Sequence, residues 1–233
     1  MSDETSPPEP ALARRALADL RPQDFGNGPL SKVLDPIVEP LWTGLRALAA
    51  IGWGDVELVD VDGDPLGGLD SIVEALAAAV PSGEVVVDGF ITKQATHTAS
   101  PVVAWSGEMP TMGSMIGLRR NRAMDTVKLK ETSLAANTFE ETDDLAFVVT
   151  DLLWLDDTPL LDIPLLERRR LLEAVVVESD GVRLGAFVRP PIERWVASWR
   201  SQGFGGLTYK AANSRYLPGM PVITHSGFGL PGR

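Results

Sequence analysis

The chain has 233 residues, 44% of them hydrophobic, and a formal net charge of −11 with a pI of about 4.7. This content is enough for one sizeable hydrophobic core, whereas the acidic balance opposes binding to a phosphate backbone. The absence of cysteine excludes disulfides, thiolate catalysis and cysteine-based zinc sites. No apolar run approaches the ~20 residues that span a bilayer, and the two histidines, His97 and His225, do not form a ligand-spaced cluster.

Residues 1–30 are predicted to form a flexible N-terminal arm, because the first ten residues are polar, acidic and rich in proline. One short helix is expected within this arm, at about residues 11–20, from its apolar periodicity. The N-terminus has no signal-peptide pattern. We therefore expect a cytoplasmic protein without a membrane segment.

Strands are predicted where apolar runs are bounded by turn residues, starting at Leu45, Val56, Glu84, Ala146 and Leu207. Apolar periodicity predicts two helices in the same part of the chain, at about residues 70–80 and 192–202. The segment from Thr92 to Asp144 is rich in Thr, Ser, Gly and Met, and its role is not predicted.

The run from Val38 to Arg46 reads V-E-P-L-W-T-G-L-R. It resembles E-P-K-W-D-G-x-R, the segment of ATP-dependent DNA ligases whose lysine attacks the α-phosphate of ATP. Five residues match that segment position by position, namely Glu39, Pro40, Trp42, Gly44 and Arg46. Leu41 stands at the position of the nucleophilic lysine, and Thr43 stands at that of the aspartate.

The resemblance continues in order over residues 36–219. The further segments and the family patterns that they resemble are 84–91 with L-D-G-E-I, 147–155 with V-A-F-D-L-L-Y-L, 159–173 with the helix L-x-x-x-P-L-x-x-R-R-x-x-L-E, 203–210 with G-x-E-G-x-x-x-K, and 214–219 with S-x-Y-x-P-G. The last family motif, a strand with two lysines, is replaced by residues 221–226. The ordered set indicates descent from the ligase adenylation domain.

Nucleotidyl transfer needs a lysine nucleophile, acidic residues that place metal ions, and basic groups that neutralise phosphate. The resemblance implies that Phe90 and Gly205 replace glutamates that face the metal, and that Thr150 replaces an aromatic that stacks on adenine. Leu41 cannot form a phosphoramidate. We therefore predict no catalytic residue and no metal site, with five degenerate positions: Leu41, Thr43, Phe90, Thr150 and Gly205.

Three polar residues of the family's nucleotide pocket are retained, namely Glu39, Arg46 and Lys210. One interpretation is that they are remnants of a nucleotide or phosphate site. The other is structural, with Arg46 and Glu39 forming an internal ion pair and Lys210 capping a strand end at the surface. The structural interpretation is favoured, because the pocket lacks the aromatic stack that is worth ~1–3 kcal/mol per base elsewhere.

The resemblance implies an α+β domain of the ligase-type nucleotidyltransferase (adenylation) fold, with antiparallel sheets lining a cleft and helices at the periphery. Leu41, Phe90 and Thr150 are expected to meet at that cleft. Residues 31–220 are assigned to this domain and residues 221–233 to a C-terminal tail. No OB-fold domain is expected, because little chain follows Gly219.

Three functional hypotheses remain open at this stage. The first is an inactive pseudoenzyme that acts as a binding or regulatory module, linked to DNA repair through a protein partner, with no cofactor. The second is a nucleotide-binding or active nucleotidyltransferase that uses ATP and Mg²⁺, with Lys93 or Lys210 as a relocated nucleophile. The third, weaker hypothesis is single-strand nucleic-acid binding through a basic cluster: Arg119, Arg120, Arg122, Lys128 and Lys130.

Overall fold

A computed structural model describes residues 12–27, 33–42, 44–92, 145–202, 204–220 and 222–226. The predictions made for Thr43, for Lys93 and for the basic cluster at residues 119–130 lie outside these residues. The described chain forms two sheets, mainly antiparallel, with helices at their outer faces. The predicted α+β class is therefore confirmed.

Along the chain the elements are α1 (Leu12–Asp19), β1 (Phe25–Asn27), β2 (Pro36–Pro40), β3 (Leu45–Gly52), β4 (Asp55–Val59), α2 (Asp70–Ala79), β5 (Glu84–Thr92), β6 (Ala146–Leu155), β7 (Thr158–Pro159), α3 (Leu165–Val175), β8 (Val182–Leu184), α4 (Glu193–Ser201), β9 (Gly206–Ala211) and β10 (Val222–Ser226). All five predicted strand runs are strands, namely β3, β4, β5, β6 and β9. Both helices predicted from periodicity are present as α2 and α4. None of the helices in the described ranges is long and apolar enough to cross a bilayer.

The larger sheet has the strand order β4-β3-β5-β6-β7, and β8 pairs in parallel with β6. Side chains alternate between its two faces, as the pleat of a strand requires. On β3, Ala47 and Ala49 join the main core together with residues of α2 and α3. Leu48 and Ala50 point to the other face, where they pack against α1. Arg46 shares this second face, because it lies two residues before Leu48.

The smaller sheet has the strand order β1-β10-β9-β2, in which only β1 and β10 are parallel. One face packs on α4 through Val38, Leu207 and Tyr209. Glu39 and Thr208 are directly paired across β2 and β9, and alternation places them on the opposite face. That polar face is turned toward the larger sheet.

The N-terminal arm and the C-terminal tail differ from the sequence-based boundaries. Helix α1 lies in the predicted arm, yet Ala13 and Leu17 are buried, with exposed fractions of 1% and 2%. Strand β1 also lies in the arm, and it pairs with β10, which lies in the predicted tail. Residues 12–27 and 222–226 therefore belong to the folded body. The polar composition of the first ten residues does not extend to α1, whose apolar stripe covers the larger sheet.

Candidate functional site

A small cavity lies between the two sheets. Its lining comes from both sheets and the β2–β3 connection: Phe25, Glu39, Trp42, Arg46, Phe90, Thr150, Thr208 and Lys210. Its cavity volume is about 10 Å³, about the space that one water molecule needs, and is far below the roughly 300–1,000 Å³ of typical ligand pockets. The cavity corresponds to the cleft expected between antiparallel sheets.

On the side of the smaller sheet, Glu39 is the centre of a buried ionic cluster. Its Oε2 lies 2.9 Å from Nζ of Lys210, and its Oε1 lies 3.8 Å from Nη1 of Arg169. Arg169, on α3, also donates a 2.6 Å hydrogen bond to the carbonyl of Thr150 and another to that of Gly185. Glu39 is only 3% exposed, so both cations neutralise a carboxylate that would otherwise be costly to bury.

On the side of the larger sheet, Arg46 forms a two-pronged ion pair with Asp88. Its Nε and Nη2 donate to Oδ1 and Oδ2 of Asp88 at 3.1 and 2.7 Å. The same carboxylate accepts a 2.7 Å hydrogen bond from the hydroxyl of Tyr216. Burial is the largest single influence and acts to lower the pKa of Arg46, but Asp88 together with Tyr216 and Asp24 raises that pKa above its ordinary value. Arg46 is therefore held by a carboxylate of its own sheet.

The sequence-based pairing of Arg46 with Glu39 is wrong. Arg46 pairs with Asp88 on the adjacent strand β5, and Glu39 pairs with Lys210 across β2 and β9. Lys210 does not cap a strand end at the surface either, because only 11% of its side chain is exposed. Arg46, Glu39 and Lys210 nevertheless each form an ion pair within the fold.

The degenerate positions do not all meet. Phe90 and Thr150 line the cavity, whereas Leu41 precedes the lining residue Trp42 and is not itself part of the wall. The backbone N–H of Leu41 donates to the carbonyl of Gly206 at 2.9 Å, which continues the ladder between β2 and β9. Gly205 is exposed and lies outside the lining. The expected convergence of Leu41 with Phe90 and Thr150 is therefore only partly correct.

The donor set of the cavity does not fit a divalent metal ion. Hard cations such as Mg²⁺ require several oxygen ligands. Among the described lining residues the only carboxylate is that of Glu39, which is already paired with Lys210. Within the described ranges, no three acidic or histidine side chains are grouped so that they could hold a metal. Phe90 offers no side-chain oxygen at the position where the resemblance places a metal-facing glutamate.

Several residues that shape the site were not identified from the sequence. In the sequence, Asp88 is recognisable only as part of the Asp-Gly pair of segment 84–91, and Arg169 only as part of the arginine pair of segment 159–173. Phe25 and Thr208 carried no signal at all. The pairing of Arg46 with Asp88 could have been suspected because Arg46 lies on a strand. A charged residue in a buried strand needs a partner of opposite charge.

The buried hydroxyl of Tyr216 makes stability sensitive to alkaline pH. Burial, and then the neighbouring Asp88, raise the pKa of Tyr216 well above its ordinary value. In the unfolded chain the phenol ionises near pH 10, so above that pH the folded state retains a proton that the unfolded state loses. The free energy of unfolding must therefore fall as pH rises above about 10, by up to about 1.4 kcal/mol per pH unit for this group.

We expect Tyr216→Phe to show a shallower fall in the free energy of unfolding between about pH 9 and 11.5, measured by urea titration. The variant starts from a lower value, because Asp88 loses a hydrogen bond. Tyr209, whose pKa burial also raises, is present in both proteins and cancels in the comparison. Equal slopes would show that Tyr216 does not retain its proton in the folded state.

Comparison with known proteins gives a consistent family. The model of the ATP dependent DNA ligase domain matches residues 35–222. A DNA ligase of Methanosphaera stadtmanae is 26% identical over 157 residues, which is 65% of this chain and 24% of the relative. The chain thus spans about a quarter of the length of that curated relative.

Similar solved structures include two from mycobacterial DNA ligases. The ligase domain of M. tuberculosis LigD is 22% identical, with a TM-score of 0.59 over 88% of this chain and 58% of that chain. A mycobacterial DNA ligase D complexed with ATP and MES is also 22% identical, with a TM-score of 0.63 over 90% of this chain and 60% of that chain. At this identity the likeness establishes the fold, which is that of the ligase nucleotidyltransferase domain.

Proposed function

Because this chain belongs to the family of ATP-dependent DNA ligase domains, we propose that it is a ligase-like domain without nucleotidyltransferase activity that serves as a binding or regulatory module. The observation that carries the proposal is that the two cationic side chains of the pocket already form ion pairs with carboxylates of the same chain. Arg46 is held by Asp88 and Lys210 by Glu39, at 2.7 and 2.9 Å. A triphosphate at this cleft would have to compete with both carboxylates.

The missing groups support the same conclusion. The reaction of the family begins with attack by a lysine, and Leu41 has no nucleophilic atom. Phe90 and Phe25 present apolar rings to the cavity. Burying a triphosphate against these rings would remove its hydration without replacing it. Among the described residues, the cavity lining therefore offers a lysine and a carboxylate only as the mutually paired Lys210 and Glu39.

We expect no covalent adduct when the protein is incubated with α-labelled ATP and Mg²⁺ or Mn²⁺, and ATP affinity weaker than about 1 mM by calorimetry. An active ATP-dependent DNA ligase is the positive control for labelling. A labelled adduct that maps to Lys210 or Lys93 would establish a relocated nucleophile and refute the proposal.

Leu41→Lys is expected to remain unlabelled in the same assay. The new amine would be a nucleophile, but Phe90 would still provide no oxygen for a metal ion. Arg46 and Lys210 would still be paired with carboxylates. Labelling of this variant would show that a single substitution inactivated the site, and that the rest of the site remains competent.

A nucleotide-binding protein is the second candidate, and two buried polar atoms favour it. Oε1 of Glu39 and Nε1 of Trp42 have no hydrogen-bond partner in the described chain, and both residues line the cavity. An acceptor and a donor in the lining of one cavity are the kinds of group that pair with the edge of a nucleobase. Membership of an ATP-dependent family makes ATP the first nucleotide to test. A micromolar dissociation constant in the calorimetric experiment would favour this candidate.

The biological role that we propose is binding to a protein partner, with a link to DNA repair. The net charge of −11 opposes a nucleic-acid backbone as the main ligand. Binding to a nicked duplex at about 50 mM salt, measured by fluorescence anisotropy, separates the two possibilities. Tight binding that weakens steeply with added salt would refute a purely protein-binding role.

A further inference from the structure

The segment that joins α1 to β1 is built into the centre of the cleft. The backbone carbonyl of Gln23 accepts a hydrogen bond from Nη1 of Arg46, and its N–H donates to the hydroxyl of Tyr216 at 3.0 Å. Arg46 and Tyr216 both bind Asp88. The main chain of Gln23 therefore forms hydrogen bonds with both Arg46 and Tyr216, the two side chains that bind the carboxylate of Asp88.

Phe25, two residues further on, joins the two sheets. It lies on β1 of the smaller sheet, and its ring is stacked on Phe90 of the larger sheet, with centroids 6.0 Å apart and an angle of 21° between the rings. The guanidinium carbon of Arg46 lies 4.7 Å from the centre of the Phe25 ring. This geometry is that of a planar ligand stacked on an aromatic and covered by a cation.

Helix α1 anchors this segment from the other end. The backbone N–H of Ala13, in the first turn of the helix, donates to Oε2 of Glu84 at 2.8 Å. Arg14 lies 2.9 Å from Asp55 and 2.5 Å from Glu57. A tether this short holds Phe25 at a high effective concentration next to the cleft, so a free ligand competes with it at a disadvantage.

We propose that Phe25 is a resident intramolecular occupant of the cleft, and that residues 20–27 act as an autoinhibitory strap that excludes planar aromatic ligands. The ring of Phe25 takes the face of Phe90 on which an uncharged planar group such as a nucleobase would stack. The cavity that remains is the space left beside this ring. The inference rests on the proposed function, because it treats the cleft as a binding surface in which no group transfer occurs.

Adenosine is the probe for this proposal, since its adenine base is planar and it carries no phosphate that Arg46 and Lys210 would have to neutralise. We expect Phe25→Ala to bind adenosine at least about tenfold more tightly than the unsubstituted chain in calorimetry, which is about 1.4 kcal/mol. Phe25→Leu keeps an apolar side chain on β1 and is expected to change affinity in the same direction. Trp195→Ala is the matched control, because it removes an aromatic side chain that is 49% exposed on α4.

Equal adenosine affinity in the unsubstituted chain and in both folded Phe25 variants would overturn the strap. If neither variant folds, hydrogen exchange on the unsubstituted chain decides. A displaceable strap requires the amides of residues 20–27 to exchange through a local opening that is easier than the opening of β5. Exchange of these amides only through global unfolding would refute it. A covalent adduct with ATP would refute the proposed function instead, whatever the Phe25 variants do.

Discussion

Asp151→Ala is expected to lower the free energy of unfolding by about 3–5 kcal/mol. Asp151 binds Arg168 through both oxygens, at 2.8 and 2.7 Å, and also accepts the backbone N–H of Leu152 at 2.9 Å. The side chains of the pair are only 1% and 2% exposed. Removal of the carboxylate leaves a guanidinium buried without its counter-charge, which costs more than the pair itself contributes.

The matched control is Asp162→Ala. Asp162 also pairs with an arginine, Arg215, at 3.2 Å, but the two side chains are 85% and 66% exposed. Exposed ion pairs contribute at most about 1 kcal/mol, so this variant should unfold almost as the unsubstituted chain does in urea. Similar losses for Asp151→Ala and Asp162→Ala would mean that burial does not determine the effect, and would contradict the account of the buried pair.

The strands and the fold were predictable from the sequence because their signals are local. Each predicted strand is an apolar run ended by turn residues, and the pairing of β3 with β4 follows from the short hairpin at Trp53 and Gly54. The ordered motifs added the topology. The match of the family model to residues 35–222 is therefore consistent with the span of 36–219 that the motifs indicated.

The partners of the charged residues were not predictable, because they depend on which strands are neighbours. Arg46 and Asp88 are 42 positions apart in sequence and meet only because β3 and β5 are adjacent, with Arg46 opposite Phe90. The ion pair between Arg46 and Glu39 that the structural interpretation predicted is absent for the same reason. Glu39 in fact lies on the other sheet, where its neighbour across the ladder is Thr208.

The position of the N-terminal segment was missed for a similar reason. Helix α1 was identified by its apolar periodicity, but its docking depends on Glu84 and Glu57, which are far away in sequence. Phe25 is a single aromatic in a polar stretch, a pattern that carries no local signal for burial. Strand β1, which contains Phe25, pairs in parallel with β10. These two strands lie near opposite ends of the described chain and meet only in the folded structure.

Gly44→Ala is expected to lower the free energy of unfolding by about 3 kcal/mol, because two penalties combine. Gly44 has a φ of +134°, where a side chain is strained by about 1–3 kcal/mol. A β-carbon there would overlap the carbonyl oxygen of Ile91 and lie 3.1 Å from its carbon. The end of β5 cannot move away without breaking its ladder with β3, and overpacking of this kind costs about 1–3 kcal/mol.

Gly205→Ala tests the opposite case in the same urea experiment. A β-carbon at Gly205 meets nothing within 4 Å, so its effect should stay within about 0.5 kcal/mol. The contrast explains which parts of the ligase-like frame persist in this chain. Gly44 is required by the close approach of the β2–β3 connection to β5, whether or not any chemistry follows, whereas nothing in the packing fixes the residue at 205. If the two variants were equally stable, the close approach of the β2–β3 connection to β5 would not explain why a glycine is present at position 44.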